Sequence, residues 1–393
     1  MTSAFISTVR RMQLVALLVG IVGGLIAAAG WYFDPAHFFP AYLVGFLFWL
    51  GVALGAQAVN LIHHLTGGGW GIPIRRILEA AFGTLPVLAV LFLPLLAGLS
   101  TLYDWARPEY VASDPLLTRE IGGYAKIHYL NVEWWTIRAA IYFAVWIVLG
   151  LALNWLSAGS DPATERKRSR SLALLSGPGL ILWSLAVTFA AVDWAMSLEP
   201  HWFSSMYGVL FMAGQAVSGL ALAILIALPL RDASPWEECL TVGRVHDVGN
   251  LLLAAVLFWS YVSLMQFLII WSGNLPEETP WYLRRSRGGW EFVALALAAL
   301  HFVVPFFLLL MRQTKRRAAW LLSVAGLLAM MRLVDLYWLV MPAFRSERLS
   351  MNWLDFVVPL AIGGFWLAAF ASRLLARAAL PVCDESALET SHG

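Results

Sequence analysis

The stretch Ala318–Met341 reads AAWLLSVAGLLAMMRLVDLYWLVM and carries the two charges on which the interpretation of this chain depends. It is long and apolar enough to cross the roughly 30 Å of hydrocarbon in a bilayer as one helix. Arg332 and Asp335 interrupt it three residues apart, which places both side chains on one helical face. Because a charge at that depth costs about 2.5–3.5 kcal/mol on insertion scales, the two side chains are expected to neutralise each other.

Similar apolar stretches recur along all 393 residues, of which 60% are hydrophobic and 13% are charged. A water-soluble domain of this length does not have that composition. The sequence therefore predicts an all-α integral membrane protein with about ten transmembrane helices. The predicted spans are Leu14–Trp31, Ala41–Ile62, Ala80–Thr101, Thr136–Leu156, Leu172–Val192, Ser205–Leu230, Asn250–Trp271, Trp290–Met311, Ala318–Met341 and Trp353–Leu375.

A repeated motif suggests how these spans are organised. Gly45-x-x-Phe48-x-x-Gly51 in the second span recurs as Gly208-x-x-Phe211-x-x-Gly214 in the sixth. A separation of four spans favours two four-helix bundles within a single membrane domain. They are predicted at residues 41–192 and 205–341, between flanking helices at 14–31 and 353–375. The alternative, that small residues recur because close helix packing needs them, stays open.

The basic residues predict an orientation. Sixteen Lys and Arg lie on the side that holds both termini and eight on the other, with Arg138 and Arg332 inside spans. The positive-inside rule then places both termini in the cytoplasm. The cluster Arg284–Arg287 on the opposite side counts against this orientation.

The sequence offers no ligand set for a metal or redox cofactor. Cys239 and Cys383 are the only cysteines, which excludes a disulfide framework and a Cys-ligated iron–sulfur cluster in this chain. Only His301 lies clearly at membrane depth, whereas a bis-histidine haem needs two such residues. Zinc signatures, glycine-rich phosphate loops and CxxCH motifs do not occur. We therefore expect no cofactor to be bound by this chain.

Polar residues at depth are the candidate functional residues. With cytoplasmic termini, a rise of about 1.5 Å per residue places Arg332 and Asp335 in the outer half of the membrane. Asp193 and Arg138 lie near the outer ends of their spans, so the four are predicted to form one outer polar cluster. His301 falls near mid-depth. An inner set lies at the cytoplasmic ends and comprises His63, His64, Glu79, His246, Asp247 and Asn250.

The outer cluster is interpreted as a site that binds a quinol head group or passes protons. Quinol oxidation needs a hydrogen-bond acceptor that takes a proton as electrons leave, and histidine or a carboxylate suits that role. His301 would connect the cluster to the inner set, where His63, His64, His246 and Asp247 are candidates for cytoplasmic proton uptake. The alternative is that these residues form inter-helix ion pairs and hydrogen bonds that fix packing.

Five longer motifs carry a family resemblance that extends over about residues 40–375. They are Tyr129-Leu-Asn-Val-Glu-Trp-Trp-Thr-Ile-Arg138, Gly177-Pro-Gly-Leu-Ile-Leu-Trp with Phe189-Ala-Ala-Val-Asp193-Trp-Ala-Met-Ser-Leu-Glu199-Pro-His-Trp-Phe-Ser204, Asn274-Leu-Pro-Glu-Glu-Thr-Pro-Trp-Tyr282, His301-Phe-Val-Val-Pro-Phe306 and Arg332-Leu-Val-Asp335-Leu-Tyr-Trp338. The chain resembles the NrfD/PsrC-like membrane subunits of bacterial alternative complex III, a quinol:cytochrome c or high-potential iron–sulfur protein (HiPIP) oxidoreductase. Among these subunits, it is most similar to the ActF type.

The resemblance implies ten transmembrane helices in two four-helix bundles, in the bacterial inner membrane. It implies partners that hold haem c and iron–sulfur clusters: an ActC-like quinol subunit, an iron–sulfur subunit, multihaem cytochrome c subunits and a terminal oxidase. Asp193, His301, Arg332 and Asp335 become candidates for a quinol cavity or a proton path. The alternatives are an independent secondary transporter or ion channel, and a purely structural scaffold subunit.

Overall fold

The computed structural model describes residues 3–119, 125–158, 165–230 and 239–376. These residues form helices and no strand, which confirms the all-α prediction. Ten helices within these ranges are long and apolar enough to span a membrane. They are α1 (Phe5–Phe33), α2 (Pro35–Thr66), α3 (Arg75–Ala97), α4 (Val132–Ser157), α5 (Arg166–Leu198), α6 (Tyr207–Leu230), α7 (Val242–Gly273), α8 (Trp290–Leu310), α9 (Ala318–Ala343) and α10 (Leu354–Ala376).

Several helices extend beyond the predicted apolar stretches because capping groups set their ends. Asp34 caps α2, accepting a hydrogen bond from the backbone N–H of His37. Thr241 caps α7 in the same way through the backbone N–H of Arg244. At the other end of α7, Asn274 takes a left-handed conformation with φ of 45° and stops the helix. Apolar length alone therefore underestimates these helices.

The ten helices contact one another as two groups of four with two flanking helices. In the first group, α2, α3, α4 and α5 each contact the next, and α5 returns to α2. In the second group, α6, α7, α8 and α9 each contact the next helix, and α9 also contacts α6. The flanking helices α1 and α10 pack along each other and against α2. Each group thus encloses its own interior.

Glycines allow the closest helix crossings. A Cβ at Gly55 of α2 would lie 1.7 Å from the carbonyl oxygen of Gln215 in α6, so the two groups meet through backbone contact. A Cβ at Gly364 of α10 would lie 2.3 Å from the backbone nitrogen of Gly20 in α1. Such contacts are the usual way in which small residues bring membrane helices together.

The connecting segments at one end of the helices, here called the loop face, are joined to one another. Lys126 Nζ donates to the carbonyl of Pro200 over 3.1 Å, and Trp202 Nε1 donates to that of Glu278 over 3.1 Å. Trp290 Nε1 donates to the carbonyl of Arg345 over 2.9 Å. The opposite end, which carries the starts of α1, α3, α5, α7 and α9, is called the termini face.

Candidate functional site

The ion pair of α9 lies in the interior of the second group. Arg332 donates to Asp335 Oδ2, and only 1% and 2% of these residues are exposed. The guanidinium fits because Gly214 of α6 has no side chain, since a Cβ there would lie 2.3 Å from Arg332 Cζ. The same guanidinium lies 5.7 Å from the ring centroid of Phe211, within reach of a cation–π interaction. In α6, the last glycine of the repeated motif therefore makes room for the Arg332 side chain.

Trp259 of α7 connects this pair to His301 of α8. Its Nε1 donates to Asp335 Oδ2 over 3.2 Å, and its ring stacks on the imidazole with centroids 4.0 Å apart. His301 is fully buried, and neither ring nitrogen has a hydrogen-bond partner among the described residues. It lies in a π-helical segment, Leu297–Val303, an irregularity that often occurs at functional sites.

A cavity of about 900 Å³ lies between α7, α8, α9 and the segment that joins α7 to α8. Asp335 and Trp259 line it. Tyr261, Leu264 and Phe267 of α7 line it as well, and they are between 41% and 59% exposed on the outside of the helices. The cavity therefore reaches the apolar outer surface. Its volume is in the range of sites that hold small molecules.

Gln266 and Tyr282 of the cavity lining belong to a chain of hydrogen bonds. The Ser204 hydroxyl donates to Gln266 Oε1 over 3.1 Å, and Gln266 Nε2 donates to the Tyr282 hydroxyl oxygen over 3.3 Å. This arrangement leaves the Tyr282 hydroxyl hydrogen and the second amide hydrogen of Gln266 for other acceptors. Burial raises the pKa of Tyr282 to about 12, so its hydroxyl is a donor at neutral pH.

A second buried ion pair lies where the segment after α7 meets the end of α5. Arg285 lines the cavity, is 2% exposed, and has Nη1 3.4 Å from the Glu199 carboxylate. Its guanidinium also lies 3.6 Å from the ring centroid of Trp281 and donates to the carbonyls of Trp338 and Leu339. Burial lowers the pKa of Arg285 below its ordinary value. The hydrogen-bond donors of this guanidinium are therefore used by a carboxylate and by backbone carbonyls of the protein.

Asp193 of α5 belongs to a different centre, inside the first group. Its carboxylate accepts two hydrogen bonds from Arg138, at 2.8 and 3.0 Å, and one from the Tyr142 hydroxyl at 2.7 Å. Arg138 Cζ lies 3.8 Å from the ring centroid of Tyr129. Burial, and then the charge of Asp193, raise the pKa of nearby Tyr103 well above its usual value. Asp193 is fully buried, and the bidentate arginine and the tyrosine occupy both of its oxygens.

The single outer cluster expected from the sequence is thus two separate pairs. Arg138 pairs with Asp193 between α4 and α5, whereas Arg332 pairs with Asp335 within α9. The lining of the large cavity includes Asp335 but neither Arg138 nor Asp193. Depth along a helix does not reveal which bundle interior a side chain enters, so the sequence could not separate these two pairs.

The inner set lies at the termini face and is divided in the same way. His63 and His64 lie near the end of α2, and the His63 ring packs edge-on against Trp70 at 4.9 Å. His246 and Asp247 lie in the first turns of α7, where the Asp247 side chain is 57% exposed. Glu79 pairs with Arg76 and Ser157, outside the set. Asn250 accepts a hydrogen bond from Lys315, and its amide nitrogen lies 3.3 Å from His246 Nδ1. The candidates for proton uptake therefore belong to different groups of helices, with His63 and His64 in the first group and His246 and Asp247 in the second.

Sequence reasoning missed four residues of the site: Trp259, Tyr282, Glu199 and Arg285. Trp259 and Gln266 are seven residues apart, so their common helical face could have been recognised from spacing. Arg285 was counted as a loop charge because it lies in Arg284–Arg287, but it is buried. No sequence signal separates it from its neighbours in that cluster.

No protein-family model matches this chain, and a search of curated proteins found no match. Within the described ranges, no group of three or more His, Cys, Asp or Glu is placed to hold a metal ion. Cys239 is buried, and Cys383 lies outside the described residues. The chemistry available at the site is that of a paired carboxylate, neutral hydrogen-bond donors and aromatic walls around an open volume.

Proposed function

We propose that this chain is an integral membrane subunit of a respiratory quinol:cytochrome c (or HiPIP) oxidoreductase of the alternative complex III kind, which contacts quinol and moves protons. One observation carries the proposal: Asp335 is buried in a membrane helix yet lines a cavity that reaches the apolar surface. Ionisable residues at membrane depth commonly mark proton or substrate paths. The motif resemblance supports the choice of complex.

The proposed roles follow from the contacts. A quinol that is oxidised loses two protons and two electrons. Asp335 accepts the proton of the hydroxyl that it faces, and the second proton leaves the opposite hydroxyl for water at the loop face. Arg332 balances the charge of Asp335, and Trp259 orients its Oδ2. By the resemblance, the electrons pass to iron–sulfur clusters and haem c in partner subunits. This chain supplies binding and proton transfer.

An independent secondary transporter is the second candidate. The observation in its favour is the irregular helix beside the cavity, since transporters often bind substrate where membrane helices are discontinuous. Affinity purification from native membranes separates the two. Co-purification with a multihaem cytochrome and an iron–sulfur protein is the expected result. A chain that purifies alone and drives solute uptake into vesicles would overturn the assignment to a respiratory complex.

The role of Asp335 is tested in the assembled complex. Asp335→Asn is expected to lower quinol-dependent turnover about 100-fold or more, because general acid–base groups commonly contribute that much. Asp355→Asn is the matched control, since Asp355 is also buried and paired, with Arg345 at 2.7 Å, but does not line the cavity.

A neutral double variant, Arg332→Gln with Asp335→Asn, removes the complication of an unpaired buried arginine. It is expected to assemble, as shown by its haem content, and to be as slow as the single variant. Wild-type turnover in both Asp335 variants would mean that this subunit is a scaffold.

A further inference from the structure

The cavity beside Asp335 presents an acceptor and donors at two levels along α7. Trp259 bonds to Asp335, and Gln266, seven residues later, bonds to Tyr282. Seven residues are about two helical turns, so the two levels are on one face and on the order of 10 Å apart. A carboxylate acceptor therefore lies at one level, and an amide N–H and a phenolic O–H lie at the other.

The buried charges around the cavity are compensated. Asp335 is paired with Arg332, and Arg285 is paired with Glu199. Glu291, the remaining charged residue of the lining, is exposed and accepts a hydrogen bond from the backbone N–H of Gly289. A charged ligand would gain no unpaired partner at depth to offset its desolvation, so the interior favours an uncharged ligand.

The walls fit a flat ring with an apolar tail. Trp259, Trp281 and Trp338 all line the cavity and give it aromatic walls. Leu264 and Phe267 line its outer part and are exposed towards the lipid. A hydrocarbon chain that leaves along these two side chains would stay in an apolar environment throughout.

We propose that this cavity is a quinone-binding site of the second group of helices, with the ring between Asp335 and the Gln266–Tyr282 pair and the tail leaving past Leu264 and Phe267. Naming a quinone as the ligand rests on the proposed function. At one end of the ring, a hydroxyl of the reduced form donates to Asp335, and the carbonyl oxygen of the oxidised form accepts from Asp335 once that carboxyl holds the transferred proton. The opposite oxygen accepts from Tyr282 and Gln266 in both forms.

The full chain in nanodiscs of synthetic phospholipid, titrated with decylubiquinone and followed by quenching of tryptophan fluorescence, tests the proposal. Gln266→Leu is expected to weaken binding about tenfold, because a neutral hydrogen bond contributes about that factor. Gln215→Leu is the control, since Gln215 is also a buried glutamine at depth but lies outside this cavity. Leu264→Trp, at a lipid-exposed position that leaves the interior intact, is expected to obstruct the tail and weaken binding as well.

The results of this experiment test the quinone site independently of the proposed function. Equal affinities for wild type, Gln266→Leu and Leu264→Trp would overturn the site, as would no quinone binding by the wild-type chain. A cavity that binds a lipid acyl chain in place of quinone would show no decylubiquinone binding, and this result too would overturn the site. Neither result affects co-purification with cytochrome partners, which tests the function. Conversely, the chain could purify without cytochrome partners and still bind decylubiquinone more weakly in the Gln266→Leu and Leu264→Trp variants. That result would support the quinone site and contradict the assignment to a respiratory complex.

Discussion

The two groups of helices each bury an Arg–Asp pair, and the pairs differ in what surrounds the carboxylate. Asp193 accepts three hydrogen bonds over both oxygens, from Arg138 and Tyr142. Both hydrogen bonds described for Asp335, from Arg332 and Trp259, end on Oδ2. Asp335 also lines a cavity of about 900 Å³, and Asp193 does not.

This difference shows that the cost of burying a charge does not by itself identify a functional residue. The two pairs have the same chemistry, and both avoid the larger cost of an isolated charge. A cavity of about 260 Å³ lies beside the first pair and is lined by Tyr129, but neither Arg138 nor Asp193 lines it. Asp335, in contrast, lines the larger cavity of the second group itself. We therefore propose a packing role for the Arg138–Asp193 pair and ligand and proton handling for the Arg332–Asp335 pair.

The largest effect is expected for Asp193→Ala, which leaves Arg138 buried without its partner. Breaking a buried pair in this way costs about 3–5 kcal/mol in the free energy of unfolding. Denaturant unfolding in detergent micelles measures it. Asp34→Asn is the control, because the Asp34–His37 contact is exposed and contributes about 1 kcal/mol at most. If the free energy of unfolding fell by the same small amount in both variants, the Arg138–Asp193 pair would not stabilise the fold as proposed.

A smaller loss is expected for Trp259→Phe, which removes the hydrogen bond to Asp335 but keeps an aromatic ring against His301. Hydrogen bonds to charged groups contribute about 1.5–3 kcal/mol. Trp183→Phe is a matched control, since Trp183 is buried and its Nε1 has no partner among the described residues. Unfolding curves for the two variants should differ, and superimposable curves would show that Trp259 does not support the carboxylate.

Gly214→Ala tests whether the repeated motif makes room for Arg332. Overpacking of a buried site costs about 1–3 kcal/mol, so both stability and decylubiquinone affinity should fall. Gly51→Ala occupies the equivalent place in the first motif, where a Cβ would make ordinary contact at 3.5 Å with Gln215 Cγ. A Gly214→Ala protein that matched Gly51→Ala in both measurements would contradict this account of the glycine.

The smallest effect concerns pH. Burial raises the pKa of Tyr282 to about 12, so its hydroxyl keeps its hydrogen well above the ordinary tyrosine range. Decylubiquinone affinity should therefore stay constant from about pH 8 to about pH 10.5. An affinity that fell with a midpoint near pH 10 would mean that Tyr282 titrates normally and is open to water.

The all-α fold could be predicted because apolar length is a strong signal in a bilayer. The helix ends were harder to predict. Asp34 starts α2 at Pro35, ahead of the predicted Ala41, and Thr241 starts α7 ahead of Arg244, His246 and Asp247, which hydropathy discounts. The pairing of Arg332 with Asp335 followed from their spacing within one helix. Residues three or four positions apart on one helix lie side by side, so their pairing can be predicted from sequence spacing alone.

The rest of the site depends on contacts between helices, which sequence does not record. Arg138 and Asp193 lie 55 positions apart, and Trp259 and Asp335 lie 76 apart. Depth arguments placed Asp193 and Asp335 at similar levels but could not assign them to different interiors. The cavity arises where the wall of α7 meets the irregular α8, and no single stretch of sequence specifies it.

The most direct test of the central claim is a density map of the intact complex prepared with excess quinone. We expect density for a ring within hydrogen-bonding distance of Asp335 and Gln266, with a tail that passes Leu264 towards the lipid. A map in which lipid acyl chains fill this cavity while the quinone binds only elsewhere would contradict the account.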